Sequence, residues 1–91
     1  MAAQQRIVTF SGNVQGVGFR YAACRMAAAY DVTGYVRNLP DGQVECLIEG
    51  ESAQIDALVA DIRQEMSHYI RNVSQQKAPA GGQFHGFGIR H

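Results

Sequence analysis

Between Gly12 and Gly18 the chain places three glycines in seven residues, Gly12-Asn-Val-Gln-Gly-Val-Gly18. Such a segment cannot lie inside a stable helix, because each glycine there gives up more backbone freedom than any other residue. It forces a loop, and the two segments it joins differ in character. Before it, Arg6-Ile-Val-Thr-Phe-Ser11 is β-branched and aromatic and reads as a strand. After it, Phe19 to Tyr30 holds five alanines with Cys24 and Met26 and neither Gly nor Pro. That composition predicts a helix of about three turns, ended at Asp31.

Val32 to Asn38 reads as a second strand. Leu39-Pro40-Asp41-Gly42 follows as a turn: Pro40 presets φ, Asp41 bonds nearby backbone and Gly42 accepts positive φ. Gln43 to Glu49 completes a hairpin, with Val44, Cys46 and Ile48 on one face and Glu45 and Glu49 on a solvated one. Gly50 breaks it. Ser52 is the expected N-cap of a second helix, whose stripe is Ile55, Leu58, Val59, Ile62 and Met66. Ser67 to Val73 is expected as a fourth strand, Ala78 to Gly82 as a loop, and Gln83 to Arg90 as a closing strand.

The order strand, helix, strand, strand, helix, strand, with an extra C-terminal strand, predicts an α+β sandwich of ferredoxin-like type. Its antiparallel sheet carries two helices on one face. A chain of 91 residues holds one hydrophobic core, so residues 1–91 are expected to form a single domain. Eight basic residues balance eight acidic ones, which gives no support to general binding of nucleic acid or anionic membrane. No apolar run approaches the roughly 18 residues that span a bilayer, and the N-terminal residues lack a secretory layout. A cytoplasmic location is therefore expected. Cys24 and Cys46 form no Cys-x-x-Cys. They read as free buried thiols, with a single disulfide as the alternative.

The glycine loop is also where chemistry is expected. It leads into a helix N-terminus, whose free N–H groups and partial positive charge favour an anion. Glycines let successive amides turn into one concavity. Arg20, in the first helical turn, opposes the helix dipole unless an anion lies between it and the amides. No Gly-Lys-Ser/Thr follows, so this is not a Walker loop, and Tyr21 occupies the third glycine position of a dinucleotide fingerprint. The residues alone favour the plainer reading, a glycine-rich connector with a solvated arginine.

Gly12-x-Val-Gln-Gly-Val-x-Phe-Arg20 resembles the first diagnostic motif of the acylphosphatase family. Gly34-Tyr-Val-Arg-Asn38, with Gly42, Val44 and Gly50 at the expected spacing, resembles its second, and Phe87-Gly-Ile-Arg90 resembles its last strand. The resemblance spans nearly the whole chain. It implies an enzyme that hydrolyses acyl phosphates to carboxylate and inorganic phosphate. By the same resemblance, Gln15, Gly16, Val17, Gly18, Phe19 and Arg20 bind the phosphate, and Asn38 positions the attacking water. It further implies a small-molecule substrate, competition by phosphate or sulfate, and a monomer without cofactor or metal. Ser67-His-Tyr-Ile-Arg-Asn-Val73 departs from the family pattern and leaves the pairing of the fourth strand open.

Other features read more plainly. Asn38 also suits the opening position of the Pro40-Asp41-Gly42 turn. Arg37, Glu45 and Glu49 read as solvated strand residues, and Tyr35 as packing. His68, His85 and His91 are scattered, without ligand spacing. The same element order occurs in RNA-recognition modules, but the third strand here has no aromatic to stack a base and carries two acids. A catalytically silent module, or one at the start of a larger carbamoyl-transfer protein, is a further alternative. With the closing strand ending beside His91, a stand-alone protein is expected.

Overall fold

The structure is a computed structural model and describes residues 3–91. Strand β1 (Gln4–Gly12) leads through the glycine loop into helix α1 (Phe19–Ala27). Strands β2 (Val32–Asn38) and β3 (Val44–Gly50) form the hairpin, followed by helix α2 (Ser52–Glu65) and strands β4 (Ile70–Pro79) and β5 (Phe87–Ile89). The strands make one sheet in the order β4-β1-β3-β2-β5. β1 pairs antiparallel with both β3 and β4, and β2 antiparallel with β3. This is the ferredoxin-like α+β arrangement.

Alternation along the strands sends one residue in two toward the helices. Val8 and Phe10 on β1, Val36 on β2, and Val44, Cys46 and Ile48 on β3 are all buried. They meet Phe19, Ala23 and Met26 of α1 and the stripe Ile55, Leu58, Val59 and Ile62 of α2. Fully burying each large side chain contributes roughly 1.5–3 kcal/mol. The hairpin turn forms as its residues require: Leu39 N–H donates to the Gln43 carbonyl at 2.8 Å, and Asp41 accepts the Gln43 N–H at 3.0 Å. That bond, with one from the Gln43 side chain, holds the Asp41 carboxyl below its ordinary range.

Several boundaries differ from the sequence expectation. α1 ends at Ala27, and the N–H groups of Ala29 and Tyr30 bond back three residues to Met26 and Ala27, tightening the exit. The cap of α2 is Glu51, in extended backbone without a side-chain bond, and Ser52 is the first helical residue. Met66 is the helix C-cap, still buried. β4 begins three residues later than expected and runs through Ala78 and Pro79, so the loop starts at Ala80. The closing strand is only Phe87–Ile89, and it pairs parallel with β2, which makes the sheet mixed rather than wholly antiparallel.

Glu49 is also a correction: its residue is 5% exposed rather than solvated. The segment between β4 and β5 folds over this face, and Glu49 accepts the N–H groups of Gly81 at 2.8 Å and Gly82 at 3.0 Å. Gln5 donates a third bond at 2.9 Å. Phe84 packs on Tyr35 with ring centroids 5.9 Å apart, and the Arg90 guanidinium lies 3.9 Å from the Tyr35 ring centroid. Tyr35 is therefore a packing residue, as expected. Arg37 is paired with Glu45 at 2.8 Å rather than simply solvated.

Candidate active site

The loop after β1 is held at both ends. Asn13 N–H donates to the Tyr69 carbonyl at 2.9 Å, tying the loop entrance to the start of β4. Val14 is fully buried beneath it. At the other end Phe19 sends its ring into the core against Phe10, with centroids 5.0 Å apart. Between these anchors Gly16 and Gly18 adopt left-handed backbone, φ 78° and 77°, which other residues take up only with strain. Gly18 is the N-cap of α1, and no side chain caps that helix end.

The consequence is a row of main-chain donors in a loop that is exposed at Gly16 and Gly18 and half-buried at Gln15 and Val17. Among the described residues, no protein group accepts from the N–H groups of Gln15, Gly16, Val17 or Gly18. The first N–H groups of α1 are likewise free of intrahelical partners. Arg20 follows in the first turn, where no acidic residue balances it. Among the described residues, its side chain makes a polar contact with His91 Nδ1, at 3.5 Å from Nη1.

Val14, Gly16, Gly18, Phe19, Arg20, Tyr21 and Asn38 line one cleft of about 130 Å³. The first motif and the second motif therefore meet in space, although Arg20 and Asn38 lie 18 positions apart in sequence. Gln15 is what joins them. Its side-chain amide donates to the carbonyls of Leu39 at 2.8 Å and Gln43 at 2.9 Å. It thereby fastens the loop to the hairpin turn directly after Asn38, and that amide is not free to touch a ligand. Val17 packs partly against the core. Of the expected phosphate-binding residues 15–20, then, Gly16, Gly18, Phe19 and Arg20 line the cleft, and Gln15 and Val17 do not.

Larger surface hollows lie elsewhere, along α2 and beside Glu49, and none brings together an arginine, free amides and an amide side chain. Among the described residues no three His, Cys, Asp or Glu side chains gather to hold a metal ion, and no helix is long and apolar enough to cross a membrane. Cys24 and Cys46 are both free, and burial pushes both thiols up, away from the thiolate form. Sequence reasoning missed two features: the Gln15 staple and the approach of His91 to Arg20. A glutamine inside a glycine loop gives no sign of which carbonyls it will reach.

The acylphosphatase family profile matches residues 6–89. The chain belongs to the acylphosphatase family. It is 42% identical over 84 residues to an acylphosphatase of Rubrobacter xylanophilus, spanning 91% of this chain and 76% of that one. The acylphosphatase of Bacillus subtilis superposes with a TM-score of 0.84 at 30% identity, covering 98% of this chain and 99% of that one. HypF of T. kodakarensis superposes with a TM-score of 0.82 at 28% identity, covering 96% of this chain and 12% of HypF. The fold thus occurs both over a whole acylphosphatase chain and within a much longer protein.

Proposed function

We propose that this chain hydrolyses acyl phosphates, R–CO–O–PO₃²⁻, to carboxylate and inorganic phosphate in the cleft between the glycine loop and Asn38. The observation that carries the reading is the convergence of Gly16 and Gly18, whose N–H groups have no protein acceptor among the described residues, with Arg20 and Asn38 on one cleft. The amides and guanidinium are donors only, which suits a tetrahedral dianion. Arg20 presents its planar fork to the phosphoryl oxygens, where charge persists through a loose transition state. Asn38 holds the water in line with the breaking P–O bond, and the side-chain amide serves both as acceptor and donor for that task.

Little else is required. The leaving carboxylate has an ordinary pKa near ~4, so it departs as an anion without a general acid. Among the described residues no carboxylate or imidazole lines the cleft, His91 lying beside Arg20 but outside the lining, and the substrate's own phosphoryl oxygens accept the proton of the attacking water. Gln15 is a positioning residue that keeps the phosphate loop and Asn38 in register. Phosphate and sulfate compete because they present the same tetrahedral oxygens. The two free thiols suit a reducing compartment, in keeping with a monomeric cytoplasmic enzyme acting on a small molecule.

The test is hydrolysis of acetyl phosphate by the wild type and by Arg20→Lys. The wild type turns the substrate over, and Arg20→Lys loses most of that activity because a point charge does not reproduce the fork. Near-native turnover in Arg20→Lys would refute the assigned role of Arg20.

A further inference from the structure

We propose that Tyr21 is the shelf on which the acyl group lies, so that aromatic and extended apolar acyl phosphates are preferred over acetyl phosphate; this rests on the proposed function. In-line displacement puts the acyl group on the side of phosphorus away from the Asn38-held water. The acyl group must then meet whatever side-chain surface remains around the cleft. Val14 and Phe19 are turned into the core, 0% and 2% exposed. Gly16 and Gly18 have no side chain, and a Cβ at either would meet nothing within 4 Å, so the mouth above them is open.

Arg20 is committed to the phosphoryl group. Tyr21 is the lining residue left, and it is 75% exposed. A lone exposed tyrosine needs no explanation. One that flanks the phosphate cradle and extends from a rigid helical turn offers a flat apolar face with few rotatable bonds to immobilise. An aryl or extended alkyl chain covers that face, whereas an acetyl methyl covers little of it.

The experiment measures kcat and KM for benzoyl phosphate and acetyl phosphate with wild type, Tyr21→Ala and Tyr21→Phe. The benzoyl-to-acetyl ratio of kcat/KM is expected to fall about fivefold in Tyr21→Ala, mainly through a higher KM for benzoyl phosphate, as for loss of one aromatic pair. Tyr21→Phe should keep the wild-type ratio, since the shelf is the ring and not the hydroxyl. Both substrates report on the same folded molecules, so partial unfolding of a variant cancels in the ratio. An unchanged ratio in Tyr21→Ala, with an active wild type, would overturn the role of Tyr21 alone. A wild type that hydrolyses neither substrate would overturn the acyl phosphate reading itself.

Discussion

Arg6 lies on the core-facing side of β1, 2% exposed, and its guanidinium donates to Asp56, Gln75, Gln4 and Ser52. Arg20 lies half-buried at the start of α1 and, among the described residues, pairs with no carboxylate and has a polar contact with the ring of His91. The residue type is the same and the chemical availability is opposite. Burying a guanidinium is costly unless its donors are matched, and the neighbours of Arg6 match them, leaving Nε without a partner. Arg20 has solvent, main-chain amides and one imidazole nitrogen beside it instead of a carboxylate. An arginine whose donors are satisfied by the fold serves the fold, whereas one left without a carboxylate partner is ready for an anion.

The contrast sets out what to change. The largest effect is expected for Arg20→Ala: acyl phosphate turnover falls about a thousandfold or more, since charge and positioning vanish together, with little change in Tm. Asn38→Ala comes next, with kcat reduced about a hundredfold and phosphate affinity nearly kept, because aiming of the water is lost and the anion cradle remains. Steady-state kinetics with phosphate as competing inhibitor separates these two. A large loss of phosphate affinity in Asn38→Ala would make it a binding residue instead.

Arg6→Ala should invert the pattern. It is expected to destabilise the fold by about 2 kcal/mol in urea unfolding, while activity per folded molecule stays near the wild type. Breaking a fully buried ion pair costs about 3–5 kcal/mol, and the smaller figure applies because the Asp56 side chain is 65% exposed and rehydrates. A catalytic defect in folded Arg6→Ala would break the distinction between the two arginines.

The smallest effect is electrostatic and lies at Glu49. Chiefly the Gly81 N–H, with Gln5 and Gly82, holds its carboxyl below the ordinary range, against the opposing effect of burial. A depressed carboxylate adds stability that is present above its unfolded pKa and lost as pH falls through the folded value. Wild-type Tm should therefore fall more steeply than that of Glu49→Gln below about pH 4.5, and the gap between them should narrow in acid. Parallel curves would remove Glu49 from the account of acid stability.

Much of this was legible from residue order. The glycine cluster, the alanine-rich helix and the Pro40-Asp41-Gly42 turn each carry a local physical signal, and they placed β1, α1, β2 and β3. β4 was not legible at its far end, because Ser74-Gln75-Gln76-Lys77 is an edge segment with every residue exposed, where no apolar alternation is needed. β5 has three residues, too few for a period, and its parallel partner is set by the path of the whole chain. The burial of Arg6 and of Glu49 follows from long-range register: Arg6 shares a face with Val8 and Phe10, and Glu49 is covered by a segment over 30 residues away. At the candidate site, the motifs contain Gly16, Gly18, Phe19, Arg20 and Asn38 of the cleft lining, but also Gln15 and Val17, which do not line it, and they omit Tyr21, which does. That the Gln15 amide reaches the hairpin turn and the Phe19 ring packs on Phe10 needed three dimensions.

Calorimetric titration of inorganic phosphate into wild type, Arg20→Ala and Arg6→Ala, at a temperature where all three are folded, decides between the two arginines as anion ligands. Wild type and Arg6→Ala should bind phosphate alike, and Arg20→Ala should bind at least about tenfold more weakly, as expected for loss of a charge-assisted fork. Equal affinity in wild type and Arg20→Ala would contradict the claim that the free guanidinium and the loop amides together form the anion site.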